Sequence, residues 1–475
     1  MRKPQGFGTR SIVGRALFAQ MIALGMSACA GTLKQDAHNS VSLQASRYVA
    51  VRPAMMPEDH PHAVRAPMDL DRGLPSYLAY AMAHSPDLRA SFERWQASVY
   101  RISRARRLPE PTISFGYFVR SVETRVGPQR ARIGLKQWFP WPTTLIAGAD
   151  ASSAKARAQQ SLFDAKALVV AERVADAYWW LWEIRTNRII HGEHLDLLRS
   201  LSESVRGRVA TGATNLADLQ QLDLAAARLE DSLLGMNEAE QSAQARLRAA
   251  IGSPAGVKTP TLGGPPGIQL PLESLSQLED SARRHPLIVV HGHLSEAQEQ
   301  LARAESGRRL PSFSAGIDWI MTGAAAMPDV RDGGKDALVV GAGLRVPLWQ
   351  RSYSDAVSAA RSMAKAQRAD QRAATDRAIA DLESSLSAVR NGVRRVSLHR
   401  NTLVPQADAA YASVLGAYAT GRGTVAQVLL AQRDLLELRV ELETARATYA
   451  RSWARLERVV GRTIKREKGL RDESQ

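Results

Sequence analysis

Residues 106–116 read RRLPEPTISFG, and residues 308–316 read RRLPSFSAG. Pro111 and Gly116 of the first stretch stand 200 positions before Pro311 and Gly316 of the second, the distance that also separates Pro86 from Pro286. Downstream the spacing becomes 209 and holds. Gly134-Leu135 returns as Gly343-Leu344, Thr211-Gly212 as Thr420-Gly421, Ala245-Arg246-Leu247 as Ala454-Arg455-Leu456, and Gly252 as Gly461. A unit of about 200 residues has been duplicated, far longer than a solenoid repeat of about 20 to 50 residues. Two halves with equivalent structural jobs follow.

Within each unit the hydrophobic period changes twice. A helical stretch up to Leu108 ends at Pro109 and Pro111, after which apolar residues alternate with polar or small ones, the period of a strand. Ile113, Phe115, Tyr117 and Val119 share one face of a first strand (about 112–119), and Ala131, Ile133 and Leu135 one face of a second (about 130–138). The second unit matches: Phe313, Ala315, Ile317, Trp319 and Met321 alternate along 312–321, and Leu338, Val340, Ala342, Leu344 and Val346 along 337–346. The opposite faces carry Arg132, Lys136, Asp318 and Arg345 among Ser and Gly.

Helical periodicity then runs from Thr143 to about Val209 and from Ser352 to about Ala419, roughly 100 Å of helix at 1.5 Å per residue. Pro405 must bend or interrupt the second of these. Short turns at Thr211-Gly212 and Thr420-Gly421 lead into returning helices. In the second, Val428, Ala431, Leu435, Leu438, Leu442, Ala445, Tyr449 and Leu456 form a coiled-coil seam. The equivalent seam of the first is apolar except at Glu240.

The chain has 475 residues, 6% aromatic, with a formal net charge of +16. Its basic residues are spread along helices among Glu and Asp, without a basic block beside aromatic platforms, so solvated helix faces account for them better than nucleic-acid binding. Residues 1–28 have the form of a signal peptide: Arg2, Lys3, Arg10 and Arg15 precede an apolar stretch from Ala16 to Met26, too short to span a bilayer. Cys29, the sole cysteine, sits where a bacterial lipoprotein carries its acylated residue, although Met26 stands where Leu is commoner. Ordinary cleavage near Ala28-Cys29-Ala30 is the other reading. With one cysteine no intrachain disulfide can form. The expected organisation is a leader over 29–68, a first repeat over 69–252, a proline-rich linker over 253–283, a second repeat over 284–461 and a charged tail over 462–475.

Strands of this length with one apolar face suit an outer membrane, but four cannot close a barrel, and an open sheet in lipid would leave backbone groups unpaired. Several chains must therefore pool their hairpins. Two soluble hairpins on a helical protein are the simpler alternative, since alternation is a weak signal per strand.

The order of signal, helix, hairpin, long helix, glycine turn and returning helix, twice over, resembles the bacterial outer-membrane efflux protein family, the TolC-like exit ducts of tripartite pumps. The residues that carry the resemblance are RARRLPEPTISFGY (104–117), FPWP (139–142), RVATGATNLADLQQLDLAAARLEDSL (208–233) and AYATGRGTVAQVLLAQRDLLELRVEL (417–442). It implies a mostly α chain with a membrane β-barrel portion, trimerising into a 12-stranded barrel continuous with a 12-helix tunnel. It also implies a passive channel lodged in outer-membrane lipid and working with a periplasmic adaptor and an inner-membrane pump. An FPWP-like segment hints at the heavy-metal or cation branch.

By the same resemblance Gly212 and Gly421 mark the tip where an adaptor docks, although each is equally a positive-φ turn residue. Asp218 matches a constriction residue at the periplasmic gate, where the second repeat has Gln427 and, further on, Leu430. An Asp solvated at a helix start explains Asp218 as well. Arg132, Lys136, Asp318 and Arg345 would face the barrel lumen.

His191 and His194, three apart, and His291 and His293, two apart, lack a cysteine or a convincing third ligand, so no metal site is read from them. The Tyr178-Trp179-Trp180-Trp182 run reads as helix packing. No nucleophile-base pair, phosphate loop or carboxylate pair indicates an enzyme or a cofactor. The alternatives to an efflux channel are a periplasmic coiled-coil adaptor or spacer, and the exit duct of a protein secretion system.

Overall fold

The computed structural model describes residues 73–212, 214–253 and 262–465. The signal segment, Cys29, the leader and residues 466–475 of the tail lie outside the described residues. Two compact units emerge, one from residues 95–158 and 293–368 and the other from the remaining described segments.

Each repeat opens with a short helix, α1 (Leu74–His84) and α5 (Leu275–Ala282), followed by α2 (Pro86–Arg106) and α6 (Pro286–Gly307). Proline is tolerated at the starts of α1, α2 and α6 because the first-turn N–H has no helical partner to lose. Strands β1 (Thr112–Val122) and β2 (Gln129–Phe139) belong to the first repeat, β3 (Ser312–Thr322) and β4 (Ala337–Arg345) to the second. The long helix α3 (Pro142–Ala210) turns into α4 (Leu216–Ile251). In the second repeat α7 (Gln350–Leu398), a π-helical turn (His399–Leu403) and α8 (Val404–Ala419) replace α3, and α9 (Val425–Val460) returns. Ends coincide at the 209-residue offset: α3 and α8 stop at Ala210 and Ala419, and α4 and α9 at Ile251 and Val460. Left-handed Gly252 (φ 71) and Gly461 (φ 81) cap the latter two.

Two sequence expectations are refined. Pro405 does not end the helix; it is preceded by a π turn in which the Val404 N–H donates to the His399 carbonyl, five residues back. That extra residue accommodates a ring which has no N–H and crowds the preceding turn. The stretch read as linker, 253–283, contains α5, capped by Ser274 and Gln277 in a reciprocal box. Helix α5 occupies in the second repeat the place of α1 in the first, so the repeat starts before residue 284.

In the sheet-bearing unit, Ala302, Val357 and Ala360 pack together against Leu301. The helical unit holds three apolar clusters. The largest gathers Tyr77, Tyr178, Trp179, Trp182, Leu247 and Ile251, which confirms the aromatic run as packing. A second centres on Trp453, Tyr449, Leu382 and Leu456, and a third on Leu222, Tyr418, Val425 and Val428. The inter-repeat segment is pinned by two tyrosines. Tyr178 Oη accepts from the Gly263 N–H at 2.9 Å and donates to its carbonyl at 3.2 Å. Tyr449 Oη does the same for Gln269, at 3.0 and 2.9 Å.

Candidate membrane sheet and helix-turn-helix tips

The four strands form one antiparallel sheet in the order β1-β2-β3-β4. Two hairpins were legible in the sequence; the β2–β3 pairing that joins the repeats was not. Its register sets Ile133 opposite Trp319 and Leu135 opposite Ile317, while Phe115 faces Ile133 across β1–β2 and Ile317 faces Val340 across β3–β4. All the alternating apolar residues thus share one face. Along the outer strands that face is bare: Ile113, Phe115 and Tyr117 are 70 to 75% exposed, Val340 78% and Val119 91%. An apolar surface of this extent marks a membrane or protein contact. Each outer strand, β1 and β4, leaves an edge unpaired within the chain.

The opposite face collects Arg132, Lys136, Asp318 and Arg345, as the alternation requires. Arg132 grips Asp318 through two parallel contacts, Nε to Oδ1 at 2.9 Å and Nη2 to Oδ2 at 2.8 Å. Lys136 and Arg345 lie over the Trp138 ring at 4.7 and 4.3 Å from its centre, cation–π distances. Ile320 and Val339 interrupt this face towards the hairpin loops.

The repeated glycines now acquire a reason. A Cβ on Gly134 would stand 2.2 Å from Asp318 Oδ1 and 2.6 Å from Ser114 Oγ, and one on Gly343 would stand 2.6 Å from Ser314 Oγ. In each hairpin a glycine makes room for the serine across from it, and Gly134 also lets Asp318 reach Arg132. The FPWP segment makes the sheet-to-helix passage. Phe139 ends β2, the Trp141 ring lies 6.4 Å from that of Phe313, and Pro142 starts α3.

At the tips, Gly212 (φ 73) and Gly421 (φ 77) are left-handed, and a Cβ on either would meet nothing within 4 Å. Backbone sign alone demands glycine there. Asn215 caps α4 by accepting from the Ala217 N–H at 3.1 Å. Thr424 caps α9 in a reciprocal box: its Oγ1 accepts from the Gln427 N–H, and Gln427 Oε1 accepts from the Thr424 N–H. Asp218 and Gln427 occupy equivalent third positions of their helices. Asp218 Oδ2 accepts from Thr214 Oγ1 at 2.9 Å, so both residues serve helix starts. Leu430 is 61% exposed and lines a cavity of about 650 Å³ with Gln221, Leu224, Leu429 and Arg433.

Elsewhere in the helical unit, Glu240, the polar break in the seam, is paired with Arg185 at 2.8 Å and Arg188 at 3.3 Å. Burial tends to raise its carboxyl, but the two guanidiniums and Gln244 together hold it below the usual range. His194 is fully buried, both ring nitrogens lack hydrogen-bond partners among the described residues, and burial pushes it down to about 4, helped by the Arg439 and His191 charges against Asp408. Neither His191, whose Nδ1 is 2.8 Å from the Asn187 carbonyl, nor His194 has a ligand set around it. No group of three or more His, Cys, Asp or Glu placed to hold a metal occurs among the described residues. No described helix is long and apolar enough to cross a membrane.

The fold is that of solved outer-membrane channels. VceC from Vibrio cholerae superposes with a TM-score of 0.66 at 18% identity, over 82% of this chain and 97% of that one. CusC gives 0.69 at 16% identity over 86% and 98%, and the open state of MtrE from Neisseria gonorrhoeae 0.66 at 16% over 83% and 90%. Residues 278–462 match the family described as Outer membrane efflux protein, which bears out the resemblance read from the sequence. No curated protein sequence matches the chain.

Proposed function

We propose that the chain is the channel subunit of a tripartite efflux system, passively conducting substrate across the outer membrane from an inner-membrane pump and its periplasmic adaptor. One observation carries this reading: a four-stranded sheet, apolar on one face and charged on the other, whose two free edges require further copies for closure in lipid. Three copies supply twelve strands, with Arg132, Lys136, Asp318 and Arg345 facing the lumen. Cys29 carries the lipid anchor, the turns at Gly212 and Gly421 meet the adaptor, and Asp218, with Gln427 and Leu430 beside it, narrows the periplasmic mouth. The chain performs no catalysis.

Purified protein in planar bilayers tests the channel. Discrete single-channel steps from a heat-resistant trimer are expected; a protein that remains in the periplasmic fraction and never conducts would be an adaptor or spacer instead. Full pump-dependent resistance and unchanged adaptor crosslinking in a Gly421→Trp strain would sink the docking assignment.

A further inference from the structure

The arginine pairs that open the repeated text lie at one end of the sheet. The register sets Thr112 opposite Lys136, Phe139 opposite Phe313 and Ser312 opposite Arg345. The starts of β1 and β3 and the ends of β2 and β4 therefore share the helix-side end. Arg106-Arg107-Leu108-Pro109 enters β1 there and Arg308-Arg309-Leu310-Pro311 enters β3, while Trp141 and Trp349 follow β2 and β4.

This end is apolar as well as basic. Trp349 is 77% exposed, and Leu108 and Leu310 are each 43% exposed, so apolar side chains stand bare beside the guanidiniums in sequence. All four arginines are exposed, and two of them keep no carboxylate within ion-pair reach among the described residues. Arg107 has Glu110 and Arg308 has Glu305, but Arg106 and Arg309 have no carboxylate partner among the described residues; Arg309 Nε reaches only Gln350 Oε1, at 3.5 Å. At the loop end, by contrast, acids and bases mix, as in the Asp332–Lys335 pair.

Resting on the channel reading, we propose that the duplicated Arg-Arg-Leu-Pro junctions are seats for anionic phospholipid headgroups of the inner leaflet. The leucine and the neighbouring tryptophan lie at the acyl boundary, and the paired guanidiniums receive the phosphate. The chemistry suits it: Trp is at home where one end is apolar and the other wet, and Arg binds phosphate by paired N–H donors. Each basic residue near an anionic surface is worth about fivefold in partitioning.

The test is native mass spectrometry of the full trimer reconstituted in equal parts of phosphatidylglycerol and phosphatidylcholine. Wild type should retain phosphatidylglycerol with a preference of at least ~5-fold, and the R106Q/R107Q/R308Q/R309Q variant should fall to about parity. Equal retention by wild type, or an unchanged preference in the variant, overturns the proposal. So does displacement of phosphatidylglycerol by lipopolysaccharide, whose phosphates offer the same chemistry from the other leaflet. Should the variant yield no trimer, wild type decides alone: raising salt from ~0.05 M to ~0.5 M should abolish the preference, and a salt-insensitive preference refutes it. Conductance of the same preparation separates the two readings. A conducting trimer without lipid preference defeats only this proposal; a protein that never conducts defeats the channel reading.

Discussion

The two repeats end their helices in step and yet hold themselves together differently. Helix α3 runs unbroken through 69 residues, whereas its counterpart yields at a π turn before Pro405. The residue equivalent to Pro405 is Asp196, exposed on a regular helix. In the seam, Glu240 takes two arginines where its counterpart Tyr449 is buried and reaches the inter-repeat segment. The first repeat sends Tyr178, from its long helix, to perform the same latch. Duplication thus preserved lengths and caps while the core contacts diverged. Element ends are set by backbone chemistry, whereas core residues need only fill space together.

The largest expected difference lies at Trp453, fully buried in the second repeat, against its counterpart Gln244. Trp453→Ala should cost about 3–5 kcal/mol and strongly lower the protein's melting temperature, whereas Gln244→Ala should cost under ~1 kcal/mol. Comparable losses in a gel-based melting series would mean the cores are more alike than their residues.

Proline sharpens the second contrast. Asp196→Pro places the ring in a helix without a π turn and should cost about 3 kcal/mol or more; Pro405→Ala should change stability by less than ~1 kcal/mol. Equal effects in thermal melts would deny the π turn its accommodating role.

His194 has Leu403 as its counterpart, so the acid response of this site has no equivalent at the matching position of the second repeat. A histidine held neutral at about 4 while the unfolded chain titrates near 6.5 loses stability as pH falls from above 6.5 towards 4, since only the unfolded state takes up the proton. The loss reaches ~3 kcal/mol at most. His194→Leu should flatten this part of a melting-versus-pH curve; an unaltered slope would assign it to other groups.

Tyr178→Phe and Tyr449→Phe give the smallest difference between the repeats. Each strands one backbone N–H and one carbonyl and should cost about 1–3 kcal/mol, similarly for both. Hydrogen exchange at Gly263 and Gln269 reports each latch: accelerated exchange at the matching site is expected, and none would show the hydroxyl to be dispensable.

Much of this was legible in the sequence because its signals are local. Alternation fixed the faces of the strands, so Arg132, Lys136, Asp318 and Arg345 came out together; positive-φ Gly212 and Gly421 follow from single residues. What stayed hidden depends on distant partners. The β2–β3 register joins segments some 180 residues apart in the chain, with no turn to declare it. Gly134 looked like a repeat marker, and only the neighbouring Ser114 and Asp318 show why a side chain is excluded. Helix α5 was masked by surrounding prolines, although Ser274 and Gln277 spell its cap. Asp218 and Gln427 were read for the gate, and their hydrogen bonds tie them first to their own helix starts.

The strand order also has a genetic meaning. Its two free edges, β1 and β4, come from different repeats, so the three-chain barrel proposed above would close only when the β4 of each chain meets the β1 of the next. Unlike edges make every subunit answerable for two junctions. A chain spoiled on one edge breaks the ring it joins however sound its companions are, and it cannot be rescued by a chain spoiled on the other. Co-expressed with wild type, an edge-blocked allele should therefore be dominant, removing complete rings out of proportion to its abundance.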